Sequence, residues 1–413
     1  MSQINCDMNI LIISQFFPPD ITAAAFRIGD TATLLARSGH DVKVLAGDPH
    51  KGTAEGVKME DLVDSAVDVR RCHINTLDKK GMRAYIGHYM SFVRSSISAG
   101  MKLKKEGWKP DAILCTSPPL FVGLAGRYLS FRFGRPLVFE VRDIWPDSAV
   151  AADQLSATGK AYKIGRMLEK YLYKKANHIA CVAKPMAEYI RSQCPKKSQI
   201  PVSVVYNGIQ ERLVPPASDP PEQPDGIKTL LYAGNFGHVQ NMDLIVEGFI
   251  KASKEERIRD WRLRLIGAGV KLEELQKIIA DNDAESLVKI DSPVPRNVVF
   301  QEMQSADALY LSLQKSFVLE HTIPSKVFDY LAMSRPIVAA LSGEGREILS
   351  STGANLCFDP GDEAGLQSTL DSLGSGIEML QKKASANRDL VLEKFTREIA
   401  VEKLISIFKQ VSA

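Results

Sequence analysis

The sequence predicts an α/β protein made of two doubly wound parallel-sheet domains. Three observations carry that expectation. Strands and helices alternate through the first half of the chain. The alternation stops at Pro215–Gly226, where five of twelve residues are proline, and then it restarts. Such alternation is the pattern of parallel strands joined by crossover helices. A segment so rich in proline cannot enter a sheet or helix and acts as a stiff extended connector. The 413 residues suit two domains. Their boundaries are read as 1–215 and 227–394, with a last helix, 395–413, returning to the first. In doubly wound sheets ligands settle beyond the carboxyl ends of the strands, so two facing domains predict a site in the cleft between them.

The elements follow in order. Met8–Ser14 is a short apolar run rich in β-branched residues, as a buried parallel strand requires. From Thr22 to Arg37 the apolar residues Ala25, Ile28, Ala32, Leu35 and Ala36 recur at helical spacing, and Ser38-Gly39 stops the helix. Asp41–Ala46 is the next strand, completing one βαβ unit. Further strands are expected at 66–70, 111–116, 137–141, 178–182 and 203–206, with helices near 82–106, 119–132, 158–176 and 184–193. After the proline segment, strands are expected at 228–233, 262–266, 288–290, 308–313, 336–340 and 354–358. Helices fall near 241–253, 271–281, 297–304, 324–333, 344–351 and 363–372, and one long helix closes the chain at 376–411.

Charge divides the two halves. Lys and Arg number 52 against 49 Asp and Glu, a net of +3. Residues 1–215 hold 30 basic and 20 acidic side chains, whereas 216–413 hold 22 and 29. Opposite signs suggest domains with different partners. No apolar stretch reaches the ~18 residues of a membrane span. The start, Met1–Asp7, lacks the basic residues of a secretory signal. The six cysteines form no Cys-x-x-Cys pair and read as reduced thiols. A cytoplasmic protein without a metal or cofactor is expected. The basic residues lack the interleaved aromatics and the module of a nucleic-acid binder.

Four segments could carry chemistry. Leu231–Gly237 is a strand running into a turn where Gly234 and Gly237 allow close backbone approach before a helix. Leu265–Gly269 is similar, with Gly267 and Gly269. It lacks the third glycine of a dinucleotide fingerprint and an acidic end on the strand expected at 288–290, so a nicotinamide site is not expected. In His321–Ala332, Pro324 and Ser325 start a helix. Lys326 adds a cation where the helix dipole is already positive, which makes sense if an anion such as a diphosphate docks there. Asp329, one turn on, can accept hydrogen bonds from sugar hydroxyls; the plainer alternative is a solvated lysine and a surface aspartate. In Val141–Asp147, Arg142 and Asp143 leave a strand end, and Trp145-Pro146 offers an apolar platform.

Together these segments resemble a known family, the family-four retaining glycosyltransferases of the GT-B fold, whose two Rossmann-like domains face a cleft. Phe16–Arg27 and Ser38–Val42 resemble that family's opening loop, helix and second strand. Arg142-Asp-Ile-Trp-Pro146, Ala233–Gly237 and Pro324-Ser-Lys326 resemble a branch containing bacterial N-acetyl-L-fucosamine transferases of O-antigen, capsule and exopolysaccharide synthesis. Tyr206–Ile209 and the segment from Phe395 resemble the family's interdomain crossings.

The resemblance implies that the C-terminal domain binds a nucleotide sugar, with Asp329 at the ribose. It places Ala24, Ala25 and Arg27 of the opening loop, together with Gly234, Asn235, Gly237, Gly267, Gly269, Glu320, His321, Pro324, Ser325 and Lys326, at the donor. His321, beside Glu320, stands where the family has its first Glu. Asn235 stands where it has a diphosphate-binding Arg, so Lys326 and Arg142 are expected to supply the phosphate charge. Lys326, Arg142 and Asp143 are the expected catalytic residues.

The implied activity is retaining, metal-independent transfer from a UDP-sugar, an N-acetylated deoxyhexosamine being one candidate, to a polyprenyl-diphosphate-linked or other saccharide acceptor. Alternatives are a UDP-N-acetylglucosamine 2-epimerase and a non-catalytic nucleotide-sugar-binding protein. Basic amphipathic segments at Met82–Lys109 and Gly159–Lys175 suit peripheral contact with an anionic membrane on its inner face, although solvated helix faces would look the same.

Overall fold

The computed structural model describes residues 8–20, 22–50, 62–77, 81–151, 155–194, 200–218 and 226–413. The expectations that fall on Met1–Asp7, including Cys6, and on most of the proline-rich connector lie outside the described residues. The chain forms two compact units: Met1–Asn207 with Arg397–Ala413, and Gly208–Thr396.

In the first unit seven strands make one parallel sheet: β1 (Asn9–Ser14), β2 (Asp41–Gly47), β3 (Asp68–Cys72), β4 (Ala112–Ser117), β5 (Leu137–Val141), β6 (His178–Cys181) and β7 (Val202–Val204). Their spatial order is β3-β2-β1-β4-β5-β6-β7, so strand order reverses between β1 and β4. The helices are α1 (Ala23–Arg37), α2 (Met82–Lys105), α3 (Val122–Phe133), α4 (Asp147–Ala151), α5 (Lys160–Lys175) and α6 (Lys184–Gln193). α1 starts where the Thr22 hydroxyl accepts from the Ala25 N–H at 3.1 Å. Ile10, Ile12, Val42, Val44 and Leu114 bury completely beneath α1's Ile28, Ala32 and Leu35. That is the expected result of a strand run with no polar face.

The second unit has six parallel strands: β8 (Lys228–Asn235), β9 (Trp261–Ala268), β10 (Val288–Asp291), β11 (Ala308–Ser312), β12 (Ile337–Ala340) and β13 (Leu356–Phe358). Their order is β10-β9-β8-β11-β12-β13, which places the reversal between β8 and β11. The helices are α7 (Met242–Lys254), α8 (Leu272–Asp281), α9 (Arg296–Ser305), α10 (Phe317–Glu320), α11 (Ser325–Ala332), α12 (Gly343–Ser350), α13 (Glu363–Lys383) and α14 (Ser385–Lys394).

The C-terminal stretch differs from the single long helix expected at 376–411. α13 continues the helix expected from 363 and ends at Lys383, α14 follows, and α15 (Arg397–Ser412) begins anew. The second break lies at Phe395-Thr396 because the chain there pairs with another segment. The Phe395 carbonyl accepts from the Ile209 N–H at 3.2 Å, and Thr396 bridges Ile209. Buried Ala400, Val401, Leu404 and Phe408 of α15 then join the core of the first unit.

The strand expected at 288–290 also runs one residue further and does end in an acid, Asp291. The Arg264 Nε holds that carboxylate at 2.5 Å, and Lys289 adds a second contact at 3.2 Å. Its charge is thus already matched within the sheet.

Candidate functional site: the strand ends of the second unit

The carboxyl end of β8 lies at the point where strand order reverses, the position where doubly wound sheets bind ligands. Gly234 and Gly267 sit opposite each other in the β8–β9 register. Gly234 has φ 154° and Gly267 φ 156°, in the region that favours glycine. A Cβ on Gly267 would lie 1.8 Å from the Gly234 carbonyl oxygen. A Cβ on Gly269 would meet the Phe236 backbone at 2.4–2.7 Å. Gly267 and Gly269, expected at the donor, therefore buttress the β8 turn from behind.

The Gly237 N–H donates to the Gln240 side-chain oxygen at 3.1 Å, closing that turn from within. The Gln314 N–H donates to the Val239 carbonyl at 2.7 Å and ties the turn to the end of β11.

Lys326 enters this turn from α11. Its Nζ donates to the Tyr232 hydroxyl at 2.8 Å and lies 4.2 Å from the centre of that ring. The Tyr232 hydroxyl donates in turn to the Asn235 carbonyl at 2.7 Å. A Cβ on Gly234 would fall 1.7 Å from the lysine Nζ, so only glycine leaves room for it. Burial pulls the lysine down from its ordinary value to about 8, with Asp329 opposing the shift. α11 begins at Pro324 with no side-chain cap and no acid in its first turn. The Val327 N–H is taken by the Pro324 carbonyl at 3.0 Å, but no side chain caps the helix start beside the cation, and its positive dipole end attracts an anion. Ser325 is exposed at this helix start.

The remaining predicted donor residues lie close in sequence but are engaged otherwise. Asp329 forms an ion pair with Arg296 at 3.3 Å, while the Arg296 guanidinium also covers the Phe300 ring at 5.0 Å. The His321 ring packs on Phe317 at 4.2 Å, and its Nδ1 meets the Phe317 carbonyl at 2.7 Å. Glu320 is half-buried on α10, where its backbone oxygen would lie 2.5 Å from a Cβ on Gly343. Asn235 is exposed at the end of β8.

In the first unit, Arg27 departs from its expected place at the donor. It is buried and bidentate to Glu140, Nη1 to Oε2 at 2.7 Å and Nη2 to Oε1. Burial alone would raise the Glu140 carboxyl, yet Arg27, with help from Arg142 and Thr116, holds it at about 2. Arg142 follows β5 beside this pair. Burial, then the like charge of Arg27, lowers its guanidinium to about 9, and its Nε has no hydrogen-bond partner among the described residues. Asp143 is raised, chiefly by burial. Ala24 is half-buried and Ala25 fully buried, and the Ala25 N–H is already held by Thr22. That N–H is therefore unavailable to a phosphate.

Trp145 is not an open platform: its ring would lie 2.3 Å from a Cβ on Gly165 of α5, and it meets Phe121 edge-on at 5.8 Å. Arg166, expected on a basic surface, instead turns inward to Asp147 and Glu169. Among the described residues no three His, Cys, Asp or Glu side chains converge as a metal ion would need.

Sequence reasoning missed Tyr232, Tyr330 and Arg296. The Tyr330 hydroxyl accepts from the Ala233 N–H at 3.1 Å and donates to its carbonyl at 3.3 Å, locking α11 onto β8. Both tyrosines read as core aromatics, and only the fold brings them to residues more than ninety positions away.

Comparisons with known proteins bear on this arrangement. Residues 22–208 match the family described as "Glycosyl transferase 4-like domain", and residues 227–375 match "Glycosyl transferases group 1". The chain is similar to WcaI of Escherichia coli (strain K12), named for glycosyl transfer in colanic acid biosynthesis. The two are 22% identical over 437 aligned positions, covering 97% of this chain and 99% of WcaI. It is also similar to WbjE of Pseudomonas aeruginosa, named as a glycosyltransferase, at 21% identity over 73% of this chain and 75% of that protein.

Among solved structures, sucrose-phosphate synthase from Thermosynechococcus elongatus superposes with a TM-score of 0.76 at 14% identity, covering 98% of each chain. Anabaena HepE in complex with UDP gives 0.71 at 13% identity, covering 98% of this chain and all of HepE. These likenesses identify the fold as GT-B, two Rossmann-like α/β units.

Proposed function

This chain is a glycosyltransferase, and we propose that it is a retaining, metal-independent one that moves a sugar from a UDP-sugar to a lipid-linked saccharide in bacterial surface polysaccharide synthesis. The observation that carries the donor reading is Lys326, a lysine hydrogen-bonded to a neutral phenol and set against Gly234 at a helix start with no side-chain cap, while the nearby Asp329 is itself paired with Arg296. Such a cation can take a further anion beside it. HepE, solved in complex with UDP, and WcaI, named for colanic acid biosynthesis, support the donor class and the pathway type.

Transfer breaks the bond between the sugar's anomeric carbon and the diphosphate oxygen, and the acceptor hydroxyl forms the new one. The electron pair goes to the leaving diphosphate, and the acceptor proton passes to a phosphate oxygen on the same face. Lys326 and the first N–H groups of α11 stabilise the charge that grows on that diphosphate. No protein carboxylate nucleophile is required. Lys326→Ala should lower kcat by about 100-fold, the usual range for removing one preorganised electrostatic partner, while the fold persists. A loss below about threefold in a transfer assay would refute the assignment.

We further propose that the first unit binds the acceptor while resting on the inner face of an anionic membrane. No helix among the described residues is long and apolar enough to cross one. α5 supports contact of a different kind. Ile164, Met167 and Tyr171 are exposed by 61%, 64% and 44% at helical spacing, flanked by Lys160, Lys163, Lys170 and Lys174. The helix's one carboxylate, Glu169, is buried on the other face. An apolar stripe bordered by lysines is the composition of a helix lying in a lipid headgroup layer.

A further inference from the structure

A cavity of about 380 Å³ lies in the first unit between α2, α4 and α5. Tyr85, Tyr89, Phe121, Trp145, Ile164 and Leu168 contribute its walls, and Lys160 stands at its edge. The volume falls at the lower end of the roughly 300–1,000 Å³ of ligand sites, and such sites are mostly apolar. Two of the lining residues, Ile86 and Ile164, are also exposed, by 44% and 61%. The cavity therefore opens onto the apolar stripe of α5, which continues to Met167 and Tyr171. From Ile164 to Tyr171 is about 10 Å at 1.5 Å per residue.

A rigid apolar molecule small enough for the cavity would leave that stripe bare. A flexible chain can fill the interior and continue along the stripe. On the other side, Lys160 precedes Ile164 by about one turn and Lys163 directly precedes it, and the exposed face of α5 has no carboxylate to offset them. A ligand with a hydrocarbon tail and a polyanionic head matches both features.

We propose that this cavity holds the first part of an isoprenoid chain whose diphosphate head lies against Lys160 and Lys163, so that the acceptor is gripped by its lipid as well as its sugar. The proposal rests on reading the first unit as the acceptor-binding half. Trp145 in the wall supplies a reporter: the other tryptophans, Trp108 and Trp261, can be changed to Phe in the full chain, leaving its fluorescence alone.

Titration with farnesyl diphosphate should shift Trp145 emission saturably. Ala161→Phe, which fills the cavity, and Ile86→Glu, at the exposed rim, should each weaken that binding at least tenfold. Stabilisation by UDP, read from the melting temperature, should stay as in the parent protein. No saturable response, unchanged binding in both variants, or a response to lysophosphatidate but not farnesyl diphosphate would overturn the proposal. If UDP fails to stabilise the chain while farnesyl diphosphate still binds, the donor reading fails and the cavity stands. The reverse pair of results removes the cavity alone.

Discussion

Near the strand ends, Arg27 of the first unit is buried and Lys326 of the second half-buried, and the two basic side chains are completed in different ways. Arg27 in the first unit meets a carboxylate head-on, with both guanidinium nitrogens engaged by Glu140. Lys326 in the second donates to the hydroxyl of Tyr232 and lies over its ring face, with Asp329 acting on it more weakly than burial does. Burial opposes both charges. For the arginine the protein supplies the counter-charge, so the pair is finished without a ligand. For the lysine the nearby carboxylate, Asp329, is itself paired with Arg296, which leaves room for a docked anion. A buried cation answered by a carboxylate marks structure; one answered by a neutral group marks a place for an anion.

The largest expected effect lies on the structural side. Arg27→Ala leaves Glu140 buried without its bidentate partner, with only Arg142 and Thr116 beside it, which should cost about 3–5 kcal/mol of stability, measurable by urea denaturation. The double change Arg27→Met with Glu140→Leu should recover most of that loss, because replacing both partners by apolar groups removes the desolvation cost. An Arg27→Ala protein as stable as the parent would mean that the pair does not hold the first unit, and the contrast with Lys326 would collapse.

Lys326→Met should do the reverse. Transfer should fall by about 100-fold, or about 2.7 kcal/mol, while the melting temperature rises at pH 7. The sign follows from the lysine's low value. Its folded value of about 8 lies below the ordinary 10.5, so between those pH values the unfolded chain binds more protons. Stability therefore climbs with pH through that window, and the cost of the buried charge is fully present below about 8. Methionine keeps the apolar stem and removes that cost. A variant that loses both activity and stability would recast Lys326 as a structural residue like Arg27.

Gly234→Ala sharpens the same point by crowding the lysine without removing it. The added Cβ would overlap Nζ, forcing the cation away from the anion site. kcat/KM should drop by about tenfold, with a modest loss of stability from the unfavourable φ. Loss of stability without loss of activity would place the anion elsewhere.

These contrasts show how far the sequence could be read. Alternating strands and helices, the proline segment and the Pro324-Ser-Lys326 helix start are local patterns, and they led to the fold and to the lysine. What Lys326 touches was not legible, because Tyr232 lies 94 positions away and reads as a core aromatic. Arg27 was read as donor-facing for the same reason. Glu140, 113 positions on, sits within an apolar strand, and nothing local announces that the two meet. Arg142, placed at a strand end by the pattern of β5, does leave the strand there, but its neighbours Arg27 and Glu140 come from the fold. The helix break at Phe395-Thr396 likewise depends on pairing with Ile209, a contact between segments that helical periodicity cannot register.

UDP affinity should carry the lysine's titration. Below about pH 8 Lys326 is charged and binding is flat with pH. Above it each further unit should weaken binding toward tenfold, since one pH unit corresponds to about 1.4 kcal/mol, until the bound complex itself titrates. Lys326→Met should bind weakly at every pH, with no break near 8. Calorimetry in two buffers of different ionisation heat would also detect proton uptake when UDP binds near pH 8.5. A pH-independent affinity would separate the lysine from the diphosphate.

The smallest effect concerns the exposed lysines of α5, which have solvent around them. Lys170→Gln removes one charge beside the Ile164–Tyr171 stripe without touching the core, since Lys170 is exposed. A basic residue close to an anionic lipid surface contributes about 1 kcal/mol, so partition onto phosphatidylserine vesicles should fall about fivefold. The loss should shrink in high salt, because screening acts on solvent-exposed charge. Met167→Glu tests the apolar half of the same surface and should reduce binding at every salt concentration. Equal binding of the parent protein to neutral and anionic vesicles would remove electrostatic docking while leaving the apolar stripe in play. No binding to either would return α5 to an ordinary solvated helix, and the excess positive charge of the first unit would then need another partner.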